Sequence, residues 1–117
     1  MLNPLEAIRL KISQNEGQAL CRILGLNTLF VEQIRYNSTI NQLVLYNFYK
    51  SKKESLRKKA LTKAQFSQTL KPHEARALHN ELQLYPHNPF LILLLGKLDQ
   101  AIVNQSFNQT NTYNDTF

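Results

Sequence analysis

Residues 88–102 read Asn-Pro-Phe-Leu-Ile-Leu-Leu-Leu-Gly-Lys-Leu-Asp-Gln-Ala-Ile, with an unbroken apolar run from Phe90 to Leu95. Such a run fits either a buried strand or a buried helix. Leu98 and Ile102 continue the apolar pattern at helical spacing. Asn88-Pro89 is a typical helix start, because a capping side chain precedes a proline at the first helical position. We therefore predict a buried helix that begins near this proline.

Length and composition set the class of protein. The chain has 117 residues, of which 43% are hydrophobic, with one cysteine and no tryptophan. This is the length of one domain with a small core, and a single cysteine excludes an internal disulfide framework. Lys97 and Asp99 end the apolar run well short of the ~20 residues that span a membrane, and residues 1–14 carry interleaved charges, unlike a secretory signal. We expect one cytoplasmic domain over residues 1–103.

Helix signals recur along the rest of the chain. Asn3-Pro4 predicts a first helix, in which Leu5, Ile8 and Ile12 fall at helical spacing. Capping residues mark further helix starts, and Gly25 is expected to end the second helix. The predicted fold is an all-α bundle of five or six short helices. The further predicted starts are Asn15, Asn27, Ser38, Pro72 and Asn88.

Two segments are exceptions to this pattern. Apolar residues vanish from Lys50 to Ser55, where we expect the chain to bend before another helix; a single long helix from Thr39 to Thr69 is the alternative. Residues 104–117 are rich in Asn, Gln and Thr, with few apolar side chains. Such a composition buries too little surface to offset the entropy lost on ordering. We predict that residues 104–117 form a disordered polar tail.

Positive charge is concentrated in one segment. The chain has 14 Lys and Arg against 8 Asp and Glu, a formal net charge of +6, and residues 50–63 account for all of it. A cluster of this density attracts polyanions, because each neutralised phosphate releases condensed counterions. The alternative is a solvated helix face or a mobile connection. We predict that these side chains project outward from a helix and contact nucleic-acid phosphates: Lys50, Lys52, Lys53, Arg57, Lys58, Lys59 and Lys63.

A small residue, a glycine and spaced apolar residues also follow one another between residues 20 and 34. Cys21 precedes Gly25 by four positions, and Val31 and Ile34 follow it by six and nine. This arrangement resembles the helix-turn-helix of phage and bacterial repressors. The resemblance implies that a second helix enters the major groove of DNA. It makes four residues candidate groove contacts: Asn27, Thr28, Gln33 and Arg35.

Two residues depart from the helix-turn-helix pattern, and the alternative is an ordinary helical hairpin with a glycine turn. Leu29 and Phe30 occupy positions that are usually polar and face DNA in that family. Residues 74–98 resemble, more weakly, the junction between two tetratricopeptide repeats, with Pro86 in the turn. That resemblance implies a partner-binding groove, and its alternative is again simple hairpin packing.

No residue pattern indicates catalysis. His73 and His79 are six positions apart and do not share adjacent turns of one helix face, and Cys21 has no neighbouring ligand. The three glycines are isolated from one another, so no phosphate-binding loop is present. We predict a protein that is not an enzyme and that has no metal site and no cofactor.

These observations leave two classes of function open. The first is a small cytoplasmic regulatory or accessory protein that binds nucleic acid, with DNA favoured. The second is a helical protein-interaction module that docks an acidic partner or a partner helix, as an adaptor or a phage- or plasmid-type inhibitor does. The helix over Phe90–Leu95 is further expected to serve as a homodimer contact if part of it is exposed.

Overall fold

The computed structural model describes residues 6–34 and 37–115, with the backbone alone for residues 106–115. Two strands and four helices follow one another in this part of the chain: β1 (Ile8–Ser13), α1 (Gln14–Ile34), α2 (Ile40–Thr62), β2 (Gln65–Leu70), α3 (Pro72–Leu82) and α4 (Pro89–Asp115). The fold is mostly helical and contains a two-stranded antiparallel sheet. The prediction of an all-α fold is therefore only approximately right, and the predicted five or six short helices are not matched by the four helices of this part of the chain.

The predicted first helix is instead the strand β1. Ile8, Leu10 and Ile12 point into the core, while Arg9 and Lys11 between them are exposed. This alternation is the periodicity of a strand. β1 pairs with β2 in a register that places Ile8 opposite Leu70 and Ser13 opposite Gln65. Asn3-Pro4 and Leu5, on which the helix prediction also rested, lie outside the described residues.

Residues 20–34 do not form a helix-turn-helix. They lie within α1, which is continuous from Gln14 to Ile34 with Gly25 in its interior. α1 begins at a reciprocal capping box: the Glu16 N–H donates to Ser13 Oγ (3.2 Å), and the Ser13 N–H donates to Glu16 Oε1 (2.9 Å). The prediction that Asn15 caps this helix and Gly25 ends it is wrong.

α2 is a single helix of 23 residues with no bend at residues 50–55. It begins at a second capping box, in which the Thr39 N–H donates to Gln42 Oε1 (2.8 Å) and the Gln42 N–H donates to Thr39 Oγ1 (3.1 Å). The long-helix alternative is thus right up to Thr62. The chain then turns into β2 instead of continuing to Thr69 as a helix.

The two C-terminal helix starts are confirmed. α3 begins at Pro72, and α4 begins at Pro89, where Asn88 Oδ1 accepts from the N–H groups of Phe90 (3.0 Å) and Leu91 (3.2 Å). Leu91, Leu94 and Leu98 of α4 are fully buried, as predicted for this apolar run. α4 continues to Asp115, whereas the side chains of residues 106–115 and all of residues 116–117 lie outside the described structure. The disordered tail stays a prediction.

Gly17 allows α1, α2 and β2 to meet closely. A Cβ at this position would lie 2.9 Å from Phe66 Cε1 and 3.1 Å from Ala60 Cβ, which is too close for either contact. At Gly25, in the same helix, an added Cβ would meet nothing within 4 Å. The two glycines of α1 therefore have opposite roles, since one is required by packing and the other only weakens the helix.

We expect Gly25→Ala to stabilise the protein by about 0.5–1 kcal/mol, because alanine loses less backbone entropy than glycine in a helix interior. Gly17→Ala is the matched control and should destabilise by about 1–3 kcal/mol through overpacking. Urea unfolding followed by circular dichroism measures both changes. A loss of stability on Gly25→Ala would contradict a continuous α1, because a turn glycine with positive φ does not tolerate a Cβ.

Glu81 is a buried carboxyl group in α3 with 8% of its surface exposed. Burial raises the pKa of Glu81, and a hydrogen bond with the side chain of Tyr85 partly opposes that rise. A carboxyl group whose pKa is higher in the folded than in the unfolded chain takes up a proton on folding. The favourable contribution of this group to the free energy of unfolding is fully present below the pKa that it has in the unfolded chain. This contribution is lost as the pH rises through the pKa that the group has in the folded chain.

We expect Glu81→Gln to unfold at a higher urea concentration than the unsubstituted protein at about pH 7.5, with the difference vanishing near pH 4. Glutamine keeps an acceptor for Tyr85 and removes the buried charge. Glu32→Gln, at an exposed carboxylate of α1, serves as the control and should show no such gain. Equal midpoints for Glu81→Gln and the unsubstituted protein at both pH values would contradict this account of Glu81.

Candidate nucleic-acid interface

The middle of α2 is exposed on every side. Tyr49 and Leu56 are buried in the core, whereas all residues between them, Lys50 to Ser55, are exposed. Lys52 lies seven positions after Leu45 and four before Leu56, so it is on the same helix face as these two buried leucines. Lys52 is nevertheless exposed. The core therefore contacts α2 near its two ends and leaves nearly two turns of helix in solvent.

The predicted phosphate contacts do not share one face of this helix. Lys50, Lys53 and Arg57 lie within about 60° of one another around the axis and form a stripe. Lys52 and Lys59 project from another side, Lys58 from a third, and Lys63 follows the last helical residue, with its N–H donating to Lys59 O. The cations therefore point in several directions from α2 and its C-terminal end, and all of them except the half-buried Lys59 are exposed.

The cationic side chains of residues 50–63 form no salt bridge with any carboxylate in the described part of the chain. The two salt bridges described there join Lys97 to Glu16 and His79 to Asp99. Lys50 Nζ lies 5.7 Å from the centroid of the Tyr46 ring, within range of a cation–π contact. The positive charges of this segment therefore have no internal carboxylate partner among the described residues.

A groove of about 540 Å³ separates the stripe from α1. Lys53 and Arg57 of α2 face Arg22 across it, and Glu32 is the acidic side chain among its lining residues. Leu26 and Leu29 of α1 are exposed on the same side. The groove thus combines a cationic wall with an apolar one. The remaining lining residues are Gln18, Cys21, Gly25, Thr28 and Tyr49.

Cys21 is half-buried at this groove and acts as a packing residue. Burial raises the pKa of the Cys21 thiol, and the positive charge of Arg57 only partly opposes this effect. Burial likewise raises the pKa of Tyr49, with a smaller contribution from the neighbouring Cys21. A thiol with a raised pKa stays protonated and unreactive at neutral pH. This environment does not suit a nucleophile.

The structure places three of the four predicted groove contacts, Asn27, Thr28 and Gln33, along the continuous helix α1. Asn27 is buried, and its Nδ2 donates to Gln42 O at 3.0 Å, so this amide joins α1 to α2. Thr28 Oγ1 donates to Leu24 O at 2.9 Å within α1. Gln33 is exposed, and Arg35 lies outside the described residues. Asn27 and Thr28 are thus engaged in internal hydrogen bonds, whereas sequence reasoning assigned them to DNA.

Arg22 joins the candidate interface without having been predicted. It lies on α1, outside the basic segment, and only the packing of α1 against α2 brings it beside Lys53 and Arg57.

Within residues 6–34 and 37–115, no group of three His, Cys, Asp or Glu side chains is placed to hold a metal ion. The described helices include none with an apolar stretch long enough to cross a bilayer. No protein-family model, curated protein or solved structure matches this chain.

Proposed function

We propose that this protein binds nucleic acid, with DNA the favoured target, through phosphate contacts made by the exposed middle of α2. One observation carries the proposal: in the segment that accounts for the whole net charge, every cation except the half-buried Lys59 is exposed, and none has a salt-bridge partner among the described residues. Counterion release at phosphates then provides the affinity. The protein acts as a non-enzymatic regulatory or accessory factor.

The stripe of Lys50, Lys53 and Arg57 is the part of this segment best placed for one strand of phosphates. Successive members are separated by about 4.5 and 6 Å along the helix axis. Long flexible side chains at these intervals reach neighbouring phosphates of one backbone, and Arg22 extends the cationic surface across the groove. Phosphate contacts carry no sequence information. Because α1 offers no recognition helix, the expected binding is independent of base sequence.

The second candidate is a protein-interaction module, which the exposed apolar side chains favour. Leu26 and Leu29 of α1 are exposed and line the same groove, and Phe30 is exposed on the same helix; these side chains suit a protein partner better than a phosphate backbone. An acidic partner would use the cations of α2 in place of phosphates. A homodimer through Phe90–Leu95 also stays a proposal, supported by the exposure of Phe90, Ile92 and Leu93 in that run.

A salt titration with random-sequence duplex DNA tests the nucleic-acid proposal. We expect the double variant Lys53→Gln, Arg57→Gln to bind more weakly and to lower the slope of log K against log salt by about 1.8, since each lost phosphate contact lowers it by about 0.9. The matched control is Lys71→Gln, Arg76→Gln, which removes one exposed lysine and one exposed arginine from the α3 region. This control should keep the slope of the unsubstituted protein.

Fluorescence anisotropy between about 50 and 200 mM salt gives these slopes. Equal losses in the two double variants would mean that net charge alone governs binding and would reject an α2 site. Absence of DNA binding at the lower salt concentration would reject the proposal altogether. Polyglutamate that binds under the same conditions, with the same dependence on Lys53 and Arg57, would then assign α2 to an acidic protein partner.

A further inference from the structure

The outward side of α4 is a second surface that phosphate binding at α2 does not explain. Leu91, Leu94 and Leu98 are fully buried in the core, whereas Ile92 and Leu93 on the other side are exposed. A helix that is apolar all round is normally covered all round. The exposed side of α4 therefore has the chemistry of a contact surface.

A groove of about 660 Å³ lies between this side of α4 and the strand β1. Its apolar wall includes Ile92, Leu93 and Ala101. Gly96 also lines it, and a Cβ at Gly96 would meet nothing within 4 Å. The groove is thus open down to the helix backbone at Gly96, and the part of α4 that lines it, from Ile92 to Asn104, is about 18 Å long. We call this surface the β1–α4 groove.

The rim of the β1–α4 groove is cationic. Arg9 and Lys11 are exposed on β1, and Lys97 projects from α4. Lys97 is already neutralised by Glu16, with 2.7 Å between Lys97 Nζ and Glu16 Oε1. Arg9 and Lys11 form no salt bridge within the described part of the chain, and none of the described residues that line the groove is acidic.

The free edge of β1 also faces away from β2 at these residues. The Gln14 N–H donates to Ala64 O (2.9 Å), so the alternating antiparallel ladder directs the backbone polar groups of Ile8, Leu10 and Ile12 towards β2. Arg9 and Lys11 consequently turn theirs outward, and Lys11 O accepts from Lys97 Nζ at 3.2 Å. Their outward N–H groups add hydrogen-bond donors beside the two free cations.

We propose that the β1–α4 groove docks an acidic amphipathic segment of another protein. The apolar side chains of that segment fill the groove against Ile92, Leu93 and Gly96, and its carboxylates pair with Arg9 and Lys11. Charge complementarity selects this occupant. In a symmetric dimer through this groove, the second copy would contribute the same lining residues, and none of the described ones is acidic. A polynucleotide would find aliphatic walls and no aromatic side chain for base stacking among the lining residues.

Docking at this groove is independent of the proposed function, because α2 contributes no residue to it. The test uses the full chain and two fluorescein-labelled probe peptides of about 14 residues, long enough to follow the groove as a helix. One peptide has leucines on one helical face and glutamates elsewhere, and the other has lysine in place of each glutamate. We expect saturable binding of the acidic peptide and none of the basic one.

Leu93→Glu should weaken binding of the acidic peptide at least about tenfold, because it places a carboxylate in the apolar wall. The matched control is Leu84→Glu in the turn after α3, since Leu84 is exposed to a comparable extent, 68% against 58% for Leu93, and lines neither groove. This control should bind like the unsubstituted protein. Arg9→Gln with Lys11→Gln should weaken binding about tenfold, whereas Lys71→Gln with Arg76→Gln, which removes one exposed lysine and one exposed arginine elsewhere, should leave it unchanged.

The proposal would be overturned by no saturable binding of the acidic peptide up to about 1 mM, by equal binding of the basic peptide, or by a loss on Leu84→Glu that exceeds the loss on Leu93→Glu. Sedimentation equilibrium accompanies the titration, and a dimer that Leu93→Glu dissociates would assign the groove to a second copy instead. Urea midpoints of all variants establish that each is folded, which is expected because the substituted side chains are exposed.

Discussion

The arrangement of the strands and helices depends on the hydrogen bonds and the salt bridge that the buried carboxylate of Glu16 accepts. This residue is 3% exposed, and its carboxylate accepts from the Ser13 N–H at 2.9 Å and from Lys97 Nζ at 2.7 Å. Lys97 in turn donates to Lys11 O. A buried charge must be paired and hydrogen-bonded, because leaving it without a partner costs several kcal/mol, on the order of 3–5. One carboxylate therefore joins the end of β1, the start of α1 and the middle of α4.

The residue after Glu16 extends this constraint to the other half of the fold. Gly17 lies against Phe66 and Ala60, so α1, β2 and α2 approach one another directly beside the Glu16–Lys97 pair. α1 then runs alongside α2 and brings Arg22 next to Lys53 and Arg57. The cationic groove is therefore a consequence of how the first helix is anchored, at residues distant from it in sequence.

The sequence predicts the C-terminal half of this fold better than the N-terminal half, for identifiable reasons. Proline and asparagine at Pro72 and Asn88 mark helix starts that local chemistry alone determines. Ile8 and Ile12, in contrast, are four residues apart, and this spacing fits a helix and a strand equally well; Leu10 between them is what distinguishes the two. In β2 the alternation is hidden because Gln68 occupies a buried position. Gly25 is ambiguous for a similar reason, since a glycine fits both a turn and an open helix surface.

Only part of the candidate site could likewise be predicted from the sequence. Local sequence shows that cations are concentrated at residues 50–63, whereas their directions, the participation of Arg22 and the internal engagement of Asn27 depend on tertiary packing. α2 holds its like charges together because Tyr49 and Leu56 fix it to the core on both sides of the exposed section. Self-repulsion of these charges opposes the folded state. A bound polyanion would relieve that repulsion, so ligand occupancy and fold stability are thermodynamically linked, and the midpoint of thermal unfolding reports on binding.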